Sequence, residues 1–298
     1  MLPLLRAAPR PDVPDERVEG LLDALLAPEA DGDMPAGDLP GRRALAAIGD
    51  DLRLVLFAGQ LAPPGLDAAA RRDFARATLD RALTTLVNEV ARESALARPP
   101  EEIVHAFASA LPGVRTLLHG DLAAALAGDP AAGSTTEVLL CYPGFSALLH
   151  HRLAHLLHGL GARLVARMLA EIAHAATAID IHPGATIGER CFIDHGTGVV
   201  IGETAIIGAN VRLYQGVTLG ARSFPVDTDG HIVRGAPRHP VLEDEVSVFA
   251  GASILGRVTI GRGSVIGGGV WLTRSVPPHS RITQAPVRAE SFAEGAGI

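Results

Sequence analysis

Hydrophobic positions obey two different rules along the chain, and the change falls near residue 178. Before it, segments near 41–61, 66–97 and 100–128 carry apolar residues at helical spacing. Pro63-Pro64 and Pro99-Pro100 mark the breaks between them. A further helical stretch runs from about Gly144 to Ala178, punctuated near Gly159 and Gly161. Residues 1–40 hold prolines and acidic residues without lasting periodicity, so a loosely ordered terminus is expected.

After residue 178 the period becomes six. Aliphatic residues stand at Ile181, Ile187 and Ile193, then after a two-residue slip at Ile201, Ile207, Leu213 and Leu219. The count resumes at Leu242, Val248, Ile254, Ile260, Ile266 and Leu272. Each hexad carries Ala, Val, Ser, Thr or Cys at its fifth position, and glycine follows the aliphatic residue at 188, 202, 208, 220, 261 and 267. Neither a helix (3.6) nor an amphipathic strand (2) gives that spacing. A parallel β-helix does, because each short strand sends one aliphatic side chain inward and then turns. Three hexads per coil make a triangular prism whose tight corners take the small residues. The predicted fold is α + β: an N-terminal α-helical domain over 1–178, a left-handed parallel β-helix over 179–282, and a tail over 283–298.

Composition narrows the chemistry. All 26 basic residues among the 298 are arginine, which excludes a Schiff-base lysine, a P-loop lysine and a kinase-type phosphate lysine. A net charge of -7 gives no electrostatic footprint for nucleic acid. Two cysteines, Cys141 and Cys191, make no disulfide framework and suit a reducing compartment. The apolar stretch at the amino terminus is too short for a signal peptide. No run of about 18 uninterrupted apolar residues predicts a membrane span, so a cytoplasmic protein is expected.

Regular coils build a scaffold, and interruptions are where chemistry gathers. One interruption is the slip at IDHGTGVV (193–200), with Asp194 and His195; the other is the excursion 221–240, ending in Arg238-His239-Pro240. DIHP (180–183) lies just before the first. A histidine beside a carboxylate is the minimum for general-base catalysis. Asp180 and His195 are fifteen residues apart, close to one coil, which would let them face each other across stacked coils. Taken singly, Asp180, His182 and Asp194 read as solvated coil residues.

DIHPGATIG (180–188), IDHGTGVVIGETAIIG (193–208), VTLG (217–220) and RHP (238–240) closely resemble the serine O-acetyltransferase family. GDP (128–130) and GFSALLHHRLAH (144–155) are similar to that family's helical domain, and Asp129 precedes Asp180 by the family's 51 residues. The resemblance covers roughly 120–282. It implies acetyl transfer from acetyl-CoA to L-serine for cysteine synthesis, with His195 as the general base and Asp180 as its partner. It further implies that Asp129 and Asp194 hold the serine ammonium, and Arg238 and His239 its carboxylate. His239 or a backbone amide would donate to the oxyanion. Gly220, Ala221, Ala250 and Gly268 match places where small residues admit the pantetheine arm of CoA. Its phosphates would have to meet arginine, for which Arg222, Arg262 and Arg274 are candidates.

The resemblance also implies homotrimers, or hexamers as dimers of trimers, and feedback inhibition by L-cysteine. A tail ending in Ile298 matches the segment with which such enzymes dock on O-acetylserine sulfhydrylase. The chain departs from the family in its longer, lysine-free loop at 221–240, a subgroup variant. His151, His155 and His158 share a helical face, but no glutamate completes a zinc motif and Arg152 would repel a cation. Helix packing or a subunit contact is the reading preferred there, and no metal is expected. Cys191 reads as interior packing and Trp271 as lining the coil exterior. Rival readings are a same-fold acetyltransferase for a sugar, an antibiotic or another amino acid, an inactive scaffold for the sulfhydrylase, and, more distantly, a hexapeptide-fold carbonic anhydrase.

Overall fold

The computed structural model describes Glu19, Leu21, Leu22, Leu25 and residues 38–224 and 227–285. The expectation for residues 1–40 bears mainly on residues outside these, and the tail with Ile298 lies outside them. The described residues from 39 onward form one compact unit, treated below. Seven helices open it: α1 (Arg42–Leu56), α2 (Ala58–Leu61), α3 (Ala68–Ala91), α4 (Pro100–Gly128), α5 (Thr135–Cys141), α6 (Pro143–Leu160) and α7 (Arg163–Thr177). Asp67 caps α3 by accepting from the Ala70 amide, and Ser134 caps α5 in the same way from Glu137. Pro100 and Pro143 occupy first turns, where a missing N–H costs nothing. Pro99-Pro100 therefore starts a helix as well as ending a segment. The short α5 has no period long enough to be read from sequence.

Fourteen short strands follow, from β1 (Asp180–Ile181) through β14 (Arg281–Ile282), in three parallel sheets. The first face stacks β1, β4 (Val200–Ile201), β7 (Thr218–Gly220), β10 (Ser253–Leu255) and β13 (Trp271–Leu272). The second stacks β2 (Thr186–Ile187), β5 (Ile206–Ile207), β8 (Val241–Leu242) and β11 (Thr259–Ile260). The third stacks β3 (Phe192–Asp194), β6 (Arg212–Tyr214), β9 (Ser247–Val248), β12 (Val265–Ile266) and β14. This is the left-handed β-helix that the six-residue period predicts. Leu242 pairs with Ile260, eighteen residues on, whereas Ile193 pairs with Leu213, twenty on, so the slip lengthens the first coil. The long loop leaves the prism between Gly220 and Val241 without disturbing the register, since Leu219 still pairs with Ile254.

The aliphatic positions fill the prism, with Ile201, Ile207, Leu213, Leu219 and Ile254 all at most 1% exposed. Burial of such a side chain favours folding by about 1.5–3 kcal/mol before chain entropy is counted. Cys191 is buried in this interior, which pushes its thiol up to about 12. Two fifth positions break the rule: Thr197 and Ser223 are exposed, because one lies in the slip and the other in the loop. Val199 takes the interior place that Thr197 leaves.

Helices and prism share a seam. Arg152 of α6 donates from Nε and Nη2 to the Asp121 carboxylate of α4 at 2.6 and 2.8 Å. The same guanidinium donates to the Gly188 carbonyl at 2.9 Å, and Asp121 accepts from the Cys191 amide at 3.0 Å. His155 contacts the Pro183 carbonyl through Nδ1 at 2.8 Å, and His158 meets the His182 ring edge-on at 5.9 Å. These histidines pack helix against prism. Phe192 points outward into the helical core, while Ala147 and Leu148 enter the prism core.

Candidate active site

Three corners join the three faces, and the residues singled out from the sequence occupy two of them. The corner between the third and first faces holds Asp194 and His195. The two extra residues of the slip sit here, and His195 takes a left-handed backbone (φ 56°) followed by Gly196 (φ 82°). Its side chain stands 72% exposed, with Nε2 3.9 Å from Asp194 Oδ1. A Cβ at Gly196 would overlap the Ile179 side chain, so the conformation that presents His195 depends on glycine.

Helix ends deliver further groups to this corner. Asp129 terminates α4 and Tyr142 precedes α6. Tyr142 donates its hydroxyl to Asp129 Oδ2 at 2.5 Å, and Asp129 Oδ1 accepts from the Ala131 amide at 2.8 Å. The Tyr142 hydrogen bond, then the Ala131 amide, and a smaller attraction from His195 hold the Asp129 carboxyl below its ordinary range. The same bond, with burial and the nearby Asp129 and Asp194 charges, pushes Tyr142 up to about 12. Two glycines permit the approach: a Cβ at Gly128 would strike the Phe192 ring, and one at Gly144 the Ile193 carbonyl. Helix ends thus lie directly on β3, beside Asp194.

Asp180 opens β1 and pairs in register with Val200. Its carboxylate, Glu171 and His174 lie within 4.8 Å of one another, and Asp194 is the carboxylate within 4 Å of His195 among the described residues.

The corner between the first and second faces, where the long loop leaves, holds the basic pair. Arg238 donates to Glu203 at 2.7 Å, and its buried Nε has no hydrogen-bond partner among the described residues. Burial alone would raise the Glu203 carboxyl, but the Arg238 bond and charge outweigh it and hold it low. The Thr204 hydroxyl accepts from the Arg238 and His239 amides, and its own amide donates to His239 Nδ1 at 3.1 Å. His239 is buried with its ring against Gly202. Burial, then the Arg238 charge, bring it down to about 4. His239 is therefore a neutral ring whose Nε2 carries the proton, and Arg238 alone of the pair carries charge. A cleft of about 370 Å³ opens beside Arg238, lined also by Glu203, Phe224, Ile232, Val233 and Arg234.

The small residues divide between the same two corners. Ala250 and Gly268 stand at the His195 corner, beside the left-handed glycines 198, 216, 251 and 269 that recur in each coil. Gly220 and Ala221 stand at the Arg238 corner, where the loop departs. Arg262 is already paired with Asp244 at 2.8 Å. Trp271 is 71% exposed on the prism exterior. Tyr142, Glu203 and Thr204 were not singled out from the sequence; Tyr142 lies outside the family-like motifs, and the other two lie inside 193–208, where only Asp194 and His195 drew attention.

Residues 68–149 match the family described as "Serine acetyltransferase, N-terminal". "Serine acetyltransferase, plasmid" of Synechococcus elongatus is 50% identical over 275 residues, covering 87% of this chain and 86% of that relative. The chain belongs to the serine acetyltransferase family. Serine acetyltransferase 1 of Entamoeba histolytica, solved in complex with L-cysteine, superposes with a TM-score of 0.71 at 36% identity, covering 89% of this chain and 94% of that one. The Neisseria gonorrhoeae serine acetyltransferase, solved in complex with serine, gives a TM-score of 0.55 at 29% identity, covering 81% and 97%. Among the described residues, no helix is long and apolar enough to cross a membrane.

Proposed function

We propose that this chain transfers the acetyl group of acetyl-CoA to the hydroxyl of L-serine, giving O-acetylserine and CoA. The observation that carries the reading is 50% identity to a serine acetyltransferase along nearly the whole chain. The geometry agrees with it. A zwitterionic acceptor needs anions at one end and a cation at the other. Asp129 and Asp194 supply the first, and Arg238 supplies the second. The buried Nε of Arg238, which has no partner among the described residues, favours a carboxylate, because an unmade hydrogen bond there is costly.

His195 takes the hydroxyl proton as the serine oxygen attacks the thioester carbonyl carbon. The tetrahedral oxyanion accepts from His239 Nε2–H or a backbone amide. The C–S bond then breaks, and the CoA thiolate takes the proton back from the imidazolium. Asp180, on the same coil, is proposed as the carboxylate that orients the His195 ring. Pantetheine runs past Ala250 and Gly268 on one side and Gly220 and Ala221 on the other.

Both sets of candidates are split between two corners of one prism, so a complete site needs the Arg238 corner of a second copy. Threefold packing of prisms brings unlike corners together, and we assign a homotrimer, or a hexamer made of two trimers. L-Cysteine presents the same ammonium and carboxylate and is the proposed inhibitor. Ile298 is proposed to dock on O-acetylserine sulfhydrylase, testable by binding the last ten residues with and without it. A cytoplasmic setting suits the free thiols Cys141 and Cys191. The test of function is CoA thiol release with acetyl-CoA and a panel of acceptors. Release with serine above that with buffer, sugars and other amino acids is expected; release with a sugar alone would overturn the substrate.

A further inference from the structure

At the acidic corner, one residue is bound to the ammonium-binding carboxylate more closely than any other. We infer that Tyr142 is a positioning residue for the acceptor amine, fixing Asp129 in orientation through its hydroxyl, and that it thereby sets the affinity for the amino-acid acceptor without taking part in the chemistry. The inference rests on the serine reading above, because it concerns the amine of that acceptor.

Asp129 lies beyond the last turn of α4, at a place where a short side chain would ordinarily sample several rotamers in solvent. Two donors from different directions remove that freedom: the Ala131 amide on Oδ1 and the Tyr142 hydroxyl on Oδ2. The remaining lone pairs are left for a cation. The backbone that carries the donor is itself held. Tyr142 stands between the end of α5 and Pro143, and Gly144 sets the start of α6 against the Ile193 carbonyl. The Cα of Tyr142 is thereby fixed beside β3. Its proton stays on through the neutral range, since the phenol is pushed up to about 12. Tyr142 thus donates constantly and never competes as an anion. The hydroxyl also lies within electrostatic reach of Asp194, so one phenol stands beside both carboxylates proposed to hold the ammonium.

Removing the hydroxyl leaves the ring and its packing but frees Asp129. The expected result for Tyr142→Phe is a rise in KM for L-serine of about tenfold, the equivalent of one lost hydrogen bond, with kcat and the KM for acetyl-CoA within twofold of wild type. In an Asp129→Asn background the same substitution should change the serine KM by less than twofold, because there is no anion left to orient. A purely structural role would lower kcat, move both KM values and depress the melting temperature together. An unchanged serine KM in Tyr142→Phe, or an undiminished effect in the Asp129→Asn background, would overturn the inference. Should Tyr142→Phe be poorly folded, Tyr142→Gln, which keeps a donor, gives the second arm: a serine KM no better than that of Tyr142→Ala would overturn it. Wild-type enzyme inactive with serine would instead remove the functional reading, a separate outcome.

Discussion

Arg152 and Asp121 form a bidentate ion pair, 4% and 0% exposed at their side chains, where α4 and α6 meet the first coil. The pair binds two helices to each other and, through the Gly188 carbonyl and the Cys191 amide, to the prism. Removing one partner strands a buried charge. Arg152→Ala should destabilise by about 3–5 kcal/mol, read from urea unfolding. A loss below about 1 kcal/mol would mean the seam is held by apolar packing alone.

Gly144 makes the same seam close where the site is built. Alanine there would force α6 off the Ile193 carbonyl. The helix itself tolerates alanine well, so local propensity would rise while the junction opens. Gly144→Ala should lower melting temperature and raise the serine KM together, by at least about tenfold in KM if the displaced Tyr142–Asp129 pair is lost. Wild-type kinetics in this variant would show that the close approach is dispensable.

Histidine burial gives the fold an acid limit. His239 sits near 4, against an ordinary 6.5, through burial and then the Arg238 charge; burial also drives His151 well down. A folded value below the unfolded one means the unfolded chain binds more protons between pH 6.5 and 4. Stability is therefore fully present above pH 6.5 and lost as pH falls toward 4. His239 contributes to that loss in the direction its lowered value sets. Melting temperature against pH should fall steeply there, and His239→Gln should flatten the slope. An identical slope in the variant would contradict the assignment.

Much of this was legible in the sequence, for a physical reason. A coil of three hexads repeats a steric demand, one aliphatic residue inward and one small residue at a turn, so Ile201, Leu219 and Ile254 announce their interior places. The slip around His195 and the loop between Gly220 and Val241 stand out because they break that demand. Asp129, Asp194 and Arg238 were singled out through family motifs, and their roles stand as proposals. What stayed hidden was spatial. Nothing in the spacing shows that Arg238 and His195 occupy different corners, or that Glu203 and Thr204 hold Arg238 and His239. Tyr142 was invisible because its role depends on a helix–strand contact made possible by Gly144. The neutrality of His239 follows from burial against Gly202, which no local pattern reports.

The proposed division of the site between corners of neighbouring copies predicts complementation. His195→Ala and Arg238→Ala should each be nearly inactive as pure proteins. Co-refolded at equal amounts, mixed assemblies should recover about a quarter of the sites, because half supply an intact His195 and half of those meet an intact Arg238. No recovery, with mixed oligomers demonstrated by mass, would place both residues in a site within one chain.

The decisive measurement of base-assisted acetyl transfer to serine by His195 is CoA thiol release from acetyl-CoA with L-serine, comparing wild type with folded His195→Ala. Serine-dependent turnover is expected in wild type, with a fall in kcat of about a hundred- to ten-thousandfold in the variant. Equal turnover by the two proteins, or no serine-dependent release by wild type, would contradict that role.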